Sequence, residues 1–368
     1  MSTALITGGN GFIGKNLQVA LKERDCEVML FSYTDDFSTL AEKVKKADIV
    51  YHLAGVNRPL SDDQFVQGNT DFTVRLIDTI RLYNPTIKLV YTSSSQAENN
   101  SPYGLSKLAA ESAILAAVAS AGLDASIYRL PGVFGKWCRP NYNSVVATFC
   151  HNVIHGIPLR VDAPTHQLEL VYIDDVVETF CLHLTGANSE NNFCDIPVKY
   201  HISLQDLSEK ISAFKFSRDS LVTDAVGSGL TRALYATYLS YLPAGQFSYS
   251  VPVYEDPRGR FSELLKTPSH GQFSFFTAKP GVTRGGHYHH TKNEKFIVVS
   301  GKALFRFEHI ITGEVAELEV TANDIRIVET IPGWAHDVKN IGSDELIVML
   351  WANEIFDRSK PDTTTWSM

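Results

Sequence analysis

Tyr103 and Lys107 stand four residues apart as Y-x-x-x-K, with three consecutive serines, Ser93, Ser94 and Ser95, just before them. Residues four apart share one face of a helix, so this spacing sets a phenol beside an ammonium, which favours tyrosinate and lowers the phenol's pKa. Such a phenol exchanges a proton with a substrate oxygen while hydride passes to or from a nicotinamide. A serine hydroxyl can hold that oxygen: Ser94 in this register, with Ser93 and Ser95 as alternatives. A cradle for the dinucleotide lies at the start of the chain, where Gly8, Gly11 and Gly14 form G-x-x-G-x-x-G. Missing side chains permit a tight turn and close approach to a pyrophosphate. The helix that follows, opening with Phe12 and Ile13, offers free N–H groups and the positive end of its dipole.

A second set of chemical groups lies near the other end. The text reads Gly281-x5-His287-Tyr288-His289-x4-Glu294-x6-Gly301 and, later, Pro332-Gly333-x2-His336-x3-Asn340. Residues two apart on a strand point to one face, so His287 and His289 can look into the same interior, with Glu294 and His336 joining from neighbouring strands. Imidazoles plus one carboxylate suit one divalent transition metal, zinc first among zinc, iron, manganese and nickel, with a position left open. The expected ligands are His289, Glu294 and His336. His287 is either a further ligand or a base, and His290 is expected beside the site or in solvent.

Two architectures are needed to place these groups. Up to about residue 184, β-branched runs at 4–7, 27–31, 49–53, 88–92 and 126–129 alternate with helical patterns. Ile13, Leu17, Ala20 and Leu21 recur at helical spacing, and 106–120 reads as an Ala-rich helix ended near Gly122. This predicts an α/β Rossmann fold, a doubly wound parallel sheet. Beyond Gln246, short runs at 273–277, 294–299, 303–307, 315–320 and 346–351 are separated by Gly, Pro and Asn, which predicts an all-β sandwich or barrel. The boundary is set near 242–245, giving domains 1–245 and 246–368. The second strand ends in Phe31-Ser32-Tyr33-Thr34, with Asp35-Asp36 late for a ribose-binding carboxylate, so NADPH is expected over NADH.

Bulk properties narrow the class. A net charge of −8 argues against a sequence-independent grip on nucleic acid. Cys26, Cys138, Cys150, Cys181 and Cys194 form no C-x-x-C pair, which fits a reducing cytoplasm. The chain opens directly into a strand-like run, so no signal peptide is expected. The Ala-rich uncharged stretch 112–123 is too short to insert in a membrane.

Residues 1–245 resemble the extended short-chain dehydrogenase/reductases, through the glycine loop, the Ser/Tyr/Lys set, His52-Leu53-Ala54-Gly55, Asn69, Arg129-Leu130-Pro131-Gly132-Val133-Phe134-Gly135 and Val171-Tyr172-Ile173-Asp174-Asp175-Val176. The resemblance implies catalysis by Ser94, Tyr103 and Lys107, and a cofactor bordered by Gly8, Gly11, Phe12, Ile13, Gly14, Leu53, Ala54, Gly55, Tyr103, Lys107, Pro131 and Val133. His52 and Asn69 read equally well as buried, hydrogen-bonded side chains. The two histidine motifs resemble those of cupin barrels. Asp256-Pro257-Arg258-Gly259-Arg260-Phe261-Ser262-Glu263 and Arg284-Gly285-Gly286-His287 resemble nucleotide-sugar 3,5-epimerases, which implies a catalytic base at His287. Over its whole length the chain is similar to the bifunctional CapF-like enzymes of UDP-N-acetyl-L-fucosamine (capsule or O-antigen) biosynthesis, especially in Gly286 through Gly301 and from Trp351-Ala352-Asn353-Glu354 through Pro361-Asp362-Thr363. That implies a UDP-2-acetamido-2,6-dideoxy-hexos-4-ulose substrate, epimerised at C3 by the cupin and reduced at C4 by the first domain, in a homodimer. Lys136, Arg139, Arg160 and Arg232 are candidate diphosphate contacts. Two alternatives stand beside this reading: a reductase of another 4-keto nucleotide sugar with a structural, dimerising cupin, and a non-catalytic nucleotide sensor.

Overall fold

Five apolar runs near the start of the chain become adjacent parallel strands: β1 (Thr3–Thr7), β2 (Glu27–Phe31), β3 (Ile49–His52), β4 (Lys88–Ser94) and β5 (Ala125–Leu130). The chain then adds β6 (Gly132–Phe134), β7 (Gln167–Tyr172), β8 (Phe193–Cys194) and β9 (Tyr200–Ser203). The main sheet runs β2-β1-β3-β4-β5-β8, and β6-β7-β9 form a smaller one. The chain steps one way from β1 to β2 and the other way from β1 to β3, so the crevice beyond their carboxyl ends is the expected ligand site of a Rossmann sheet. Buried Leu5, Val50, Leu89 and Ile127 face Leu40, Leu76, Ile80 and Ile114 from the helices Ser38–Lys46, Phe72–Tyr83 and Pro102–Ala121. The computed structural model describes residues 2–32, 34–186, 191–359 and 361–368; Tyr33, read above at the end of the second strand, lies outside them.

The helix expected over 106–120 runs Pro102–Ala121. The Ser101 hydroxyl caps it by accepting from the Gly104 N–H at 3.0 Å, Pro102 starts it, and Gly122 ends it at φ +67°. Tyr103 therefore sits inside the first turn. By length and composition this helix could cross a bilayer. Here it is a core element, with Ala110, Ile114 and Ala117 packed into the sheet and Lys107 and Glu111 also buried.

The second architecture comprises β10 (Tyr254–Asp256), β11 (Gly259–Thr267), β12 (Gly271–Ala278), β13 (Thr283–Tyr288), β14 (Glu294–Ser300), β15 (Lys302–His309), β16 (Val315–Thr321), β17 (Val328–Glu329), β18 (Trp334–Asn340), β19 (Leu346–Ala352) and β20 (Thr364–Thr365). They form two antiparallel sheets, β10-β11-β12-β19-β14-β17 and β16-β15-β18-β13-β20. Phe276, Phe296, Val298 and Val348 from one pack on Phe305, Phe307 and Val338 from the other. The chain divides into two compact units, Met1–Ile211 with Ala236–Tyr241, and Ser212–Tyr235 with Leu242–Met368. The helices Leu204–Ser220 and Gly229–Leu239, unassigned in the sequence reading, each straddle that division.

Two candidate active sites

In the first unit a cleft of about 1220 Å³ opens beyond the carboxyl ends of the parallel strands. Gly8, Gly11, Phe12, Ile13, Gly14, Leu53, Gly55, Pro131 and Val133 all border it. Ala54 instead meets the glycine turn from behind: a Cβ on Gly8, whose φ is +75°, would lie 2.6 Å from its backbone nitrogen. A Cβ on Gly14 would lie 2.5 Å from the Gly8 carbonyl oxygen. The turn is braced by Gln18, whose amide donates to the carbonyls of Gly9 (2.7 Å) and Gly14 (3.2 Å). Gly11 caps the helix Phe12–Lys22 without a side chain, so the first N–H groups stay open to an anion.

Ser94, Tyr103 and Lys107 meet in this cleft. The Ser93 hydroxyl donates to the buried Glu111 carboxylate, whereas Ser94 lies close enough to Tyr103 to hold its pKa down. Alternation along β4 thus separates Ser93 from Ser94. One expectation is corrected. Burial raises the Tyr103 pKa, offset in part by Ser94, and Lys107 does not lower it. The Lys107 ammonium instead donates to the Thr92 carbonyl at 2.9 Å and lies 5.0 Å from the centre of the Tyr91 ring. Burial lowers its pKa to about 8, against a raising contribution from Glu111.

His52 and Asn69 are buried positioning groups. His52 bridges Thr7 and Thr73. Asn69 clamps the backbone of Val56, accepting from its N–H at 2.8 Å and donating to its carbonyl at 3.0 Å, and also donates to Ser106 at 2.9 Å. Glu111, missed in the sequence reading, lies one turn beyond Lys107 and holds the Arg129 guanidinium (2.6 Å at its closest) as well as Ser93. Of the four candidate diphosphate contacts only Arg139 borders the cleft; Lys136 pairs with Asp174, and Arg160 is exposed and paired with Asp162. Arg232 lies in the second unit. Arg58, not anticipated, also borders the cleft, and Arg58 and Arg139 lie 5.3 and 5.2 Å from the centre of the Tyr142 ring.

In the second unit His287, His289, Glu294 and His336 converge, one ligand atom from each lying within 4.8 Å of all the others. His287 on β13 is paired across strands with His336 on β18, His289 follows β13, and Glu294 opens β14 in the opposite sheet. His289, Glu294 and His336 are buried; His287 is half-buried and borders a cavity of about 850 Å³. Burial and the neighbouring His336 and His289 lower the His287 pKa to about 4, which keeps its imidazole neutral. Burial would push the Glu294 carboxyl up, but hydrogen bonds from His289 and His336 and the Lys292 ammonium outweigh it and hold it well below the usual range. Lys292 contacts one Glu294 oxygen at 3.1 Å; the other lies 3.4 Å from His289 Nε2 and 3.5 Å from His336 Nε2.

His289 Nδ1 donates to the Asp362 carbonyl, which turns Nε2 toward the cluster. Three imidazoles and a carboxylate at this mutual distance suit a divalent transition ion. His290 is exposed, its ring edge-on to Tyr288. Asp256, Arg258 and Arg284 border the same cavity. Lys292 and Asp362, both missed in the sequence reading, act through backbone and ion-pair contacts that no local spacing announces.

Residues 4–193 match the NAD dependent epimerase/dehydratase family, and residues 254–364 match the polysaccharide biosynthesis C-terminal domain. The chain is 51% identical to a UDP-2-acetamido-2,6-beta-L-arabino-hexul-4-ose reductase of Pseudomonas aeruginosa, over 99% of this chain and 98% of the relative. The crystal structure of the capsular polysaccharide assembling protein CapF from Staphylococcus aureus superimposes with a TM-score of 0.92 at 37% identity, over 99% of this chain and 100% of that one. CapF with the inhibitor 3-isopropenyl-tropolone gives a TM-score of 0.88 at 33% identity, with both chains fully covered. With relatives this similar matching end to end, the chain belongs to the CapF-like family of bifunctional nucleotide-sugar reductase/epimerases.

Proposed function

We propose that the chain epimerises C3 of a UDP-2-acetamido-2,6-dideoxy-hexos-4-ulose and then reduces its C4 ketone with NADPH, on the route to UDP-N-acetyl-L-fucosamine. The observation that carries this is the presence in one chain of a Ser94–Tyr103–Lys107 cleft and a separate His/Glu cluster, in a relative of a 4-keto-sugar reductase. NADPH, when bound, supplies the hydride for C4. Tyr103 passes its phenolic proton to the C4 oxygen while Ser94 holds that oxygen, and Lys107 charges the cleft floor. The glycine turn and the helix start hold the pyrophosphate, and Arg58 and Arg139 suit the sugar's diphosphate. NADPH is preferred because Ser32 directly follows β2 and Asp35 is engaged by Lys43 and the Ser32 N–H, each at 3.1 Å.

We read the two antiparallel sheets as a closed cupin barrel, with the functional boundary at 245/246. His289, Glu294 and His336 would hold the metal, zinc first, and His287 would act as the base. A divalent ion there supplies Lewis-acid stabilisation of an enolate. The C3 proton is acidic because it is α to the ketone; neutral His287 removes it, a solvent-derived proton delivered to the other face inverts C3, and His287 releases the proton it took to solvent. Exposed Ile311, Ile325 and Ile331 on the second unit support a homodimer, and five free thiols support a cytoplasmic enzyme.

The test is solvent exchange at C3 in deuterium oxide, using the full chain without NADPH. Tyr103→Phe should still exchange the C3 proton, and His287→Ala should not, with its metal retained. Loss of metal in His287→Ala makes that residue a ligand instead. Exchange undiminished in a metal-bound His287→Ala would leave the second unit a structural role and favour the single-activity reductase.

A further inference from the structure

We infer that Asp362 is a positioning residue of the His/Glu centre, one that fixes the histidine loop and the ring orientation of His289 before any ion arrives. The inference rests on reading that cluster as a metal centre. Its basis is one residue making two kinds of contact. The Asp362 carboxylate accepts from three successive backbone N–H groups, His290 at 2.9 Å, Thr291 at 2.7 Å and Lys292 at 2.8 Å, and from the Thr291 hydroxyl at 3.0 Å. Consecutive N–H groups converging on one anion form a nest. This nest is the loop between His289 and Glu294, so capping it sets the distance between those two ligands. It also aims Lys292, whose ammonium occupies one Glu294 oxygen and leaves the other facing the imidazoles.

The second contact is through the backbone. The Asp362 carbonyl oxygen is hydrogen-bonded to His289 Nδ1. A carbonyl only accepts, so Nδ1 donates to it, and the ring is held with Nε2 turned toward the cluster, 3.4 Å from a Glu294 oxygen. The segment is itself tied down: the Trp366 N–H donates to the Gly286 carbonyl at 2.8 Å, and β20 pairs with His287 and Tyr288 of β13. Asp362 thereby organises His289 directly and Glu294 through Lys292.

Outer partners of this kind change metal affinity about 10–100-fold. Cobalt(II) titration of the full chain, read by its visible spectrum, is the first measurement. Asp362→Ala and Asp362→Asn should each weaken cobalt binding about 10–100-fold and alter the spectrum, with NADPH binding unchanged. Parental cobalt affinity and spectrum in these variants would overturn the inference, because a purely structural Asp362 would lower the melting temperature alone. If the variants do not fold, the parent decides. Imidazole nitrogen NMR of the metal-free full chain should show His289 Nδ1 carrying a hydrogen-bonded proton, and an unprotonated Nδ1 would overturn the inference. A parent that binds no cobalt yet shows His289 protonated at Nδ1 would remove the metal reading and leave the hold of Asp362 on His289 supported.

Discussion

The Lys107 ammonium is held by the Thr92 carbonyl at 2.9 Å and not by the Tyr103 phenol one helical turn away. Lys107 borders the cleft, and on the proposed reading a charged ammonium there favours an anionic cofactor. Its pKa of about 8 means that it is charged below that pH. NADPH affinity should be steady below about pH 8 and fall above it. Glu111 raises the Lys107 pKa, so Glu111→Gln should move the fall to lower pH, and Lys107→Met should remove it. Fluorescence titration of NADPH across pH checks all three.

Tyr103→Phe should lower ketone reduction by roughly 10²–10⁴-fold, the usual share of acid–base catalysis. NADPH affinity should not change, because the phenol donates to substrate. Parallel NADPH binding and oxidation assays separate the two effects.

Gly8→Ala places a methyl group against the Ala54 nitrogen at a positive φ. A loss of about 1–3 kcal/mol is expected, the range for a residue forced into a disfavoured backbone region. Denaturant unfolding gives the stability change, and NADPH titration should show weakened binding because the turn no longer closes.

His289→Ala and His336→Ala should each deplete bound metal, measured by elemental analysis after purification without added ion. Parental metal content in both variants would place the site elsewhere.

Much of the first unit was legible because its signals are local. β2 was read to the residue, and the glycine turn and the Y-x-x-x-K pair depend on short spacings. Helix 106–120 lost its first turn because the Ser101-Pro102 cap was not weighed. Glu111 could have been found: it continues the Tyr103, Lys107 series by four more residues along one helical face. Asp362 could not, since its partners lie 70 to 73 positions earlier and a loop aspartate looks solvated in sequence. Arg58 and Arg139 are likewise brought to one ring by folding alone. The Lys107 correction has a different origin, since spacing shows that two side chains share a face but not which backbone carbonyl a long lysine will reach.

Glu294 opens a strand of one sheet, while His336 belongs to the other and His289 directly follows β13 of that same second sheet. An ion gripped by all three would be a cross-link between layers, formed by coordination where other proteins use covalent sulfur. Folding of the second unit would then be coupled to the free ion concentration, gaining about 4.1 kcal/mol when that concentration is a thousand times the dissociation constant. Its melting temperature would act as a gauge of available metal. A chelator should pull that melting below the transition of the Rossmann unit and turn one unfolding event into two.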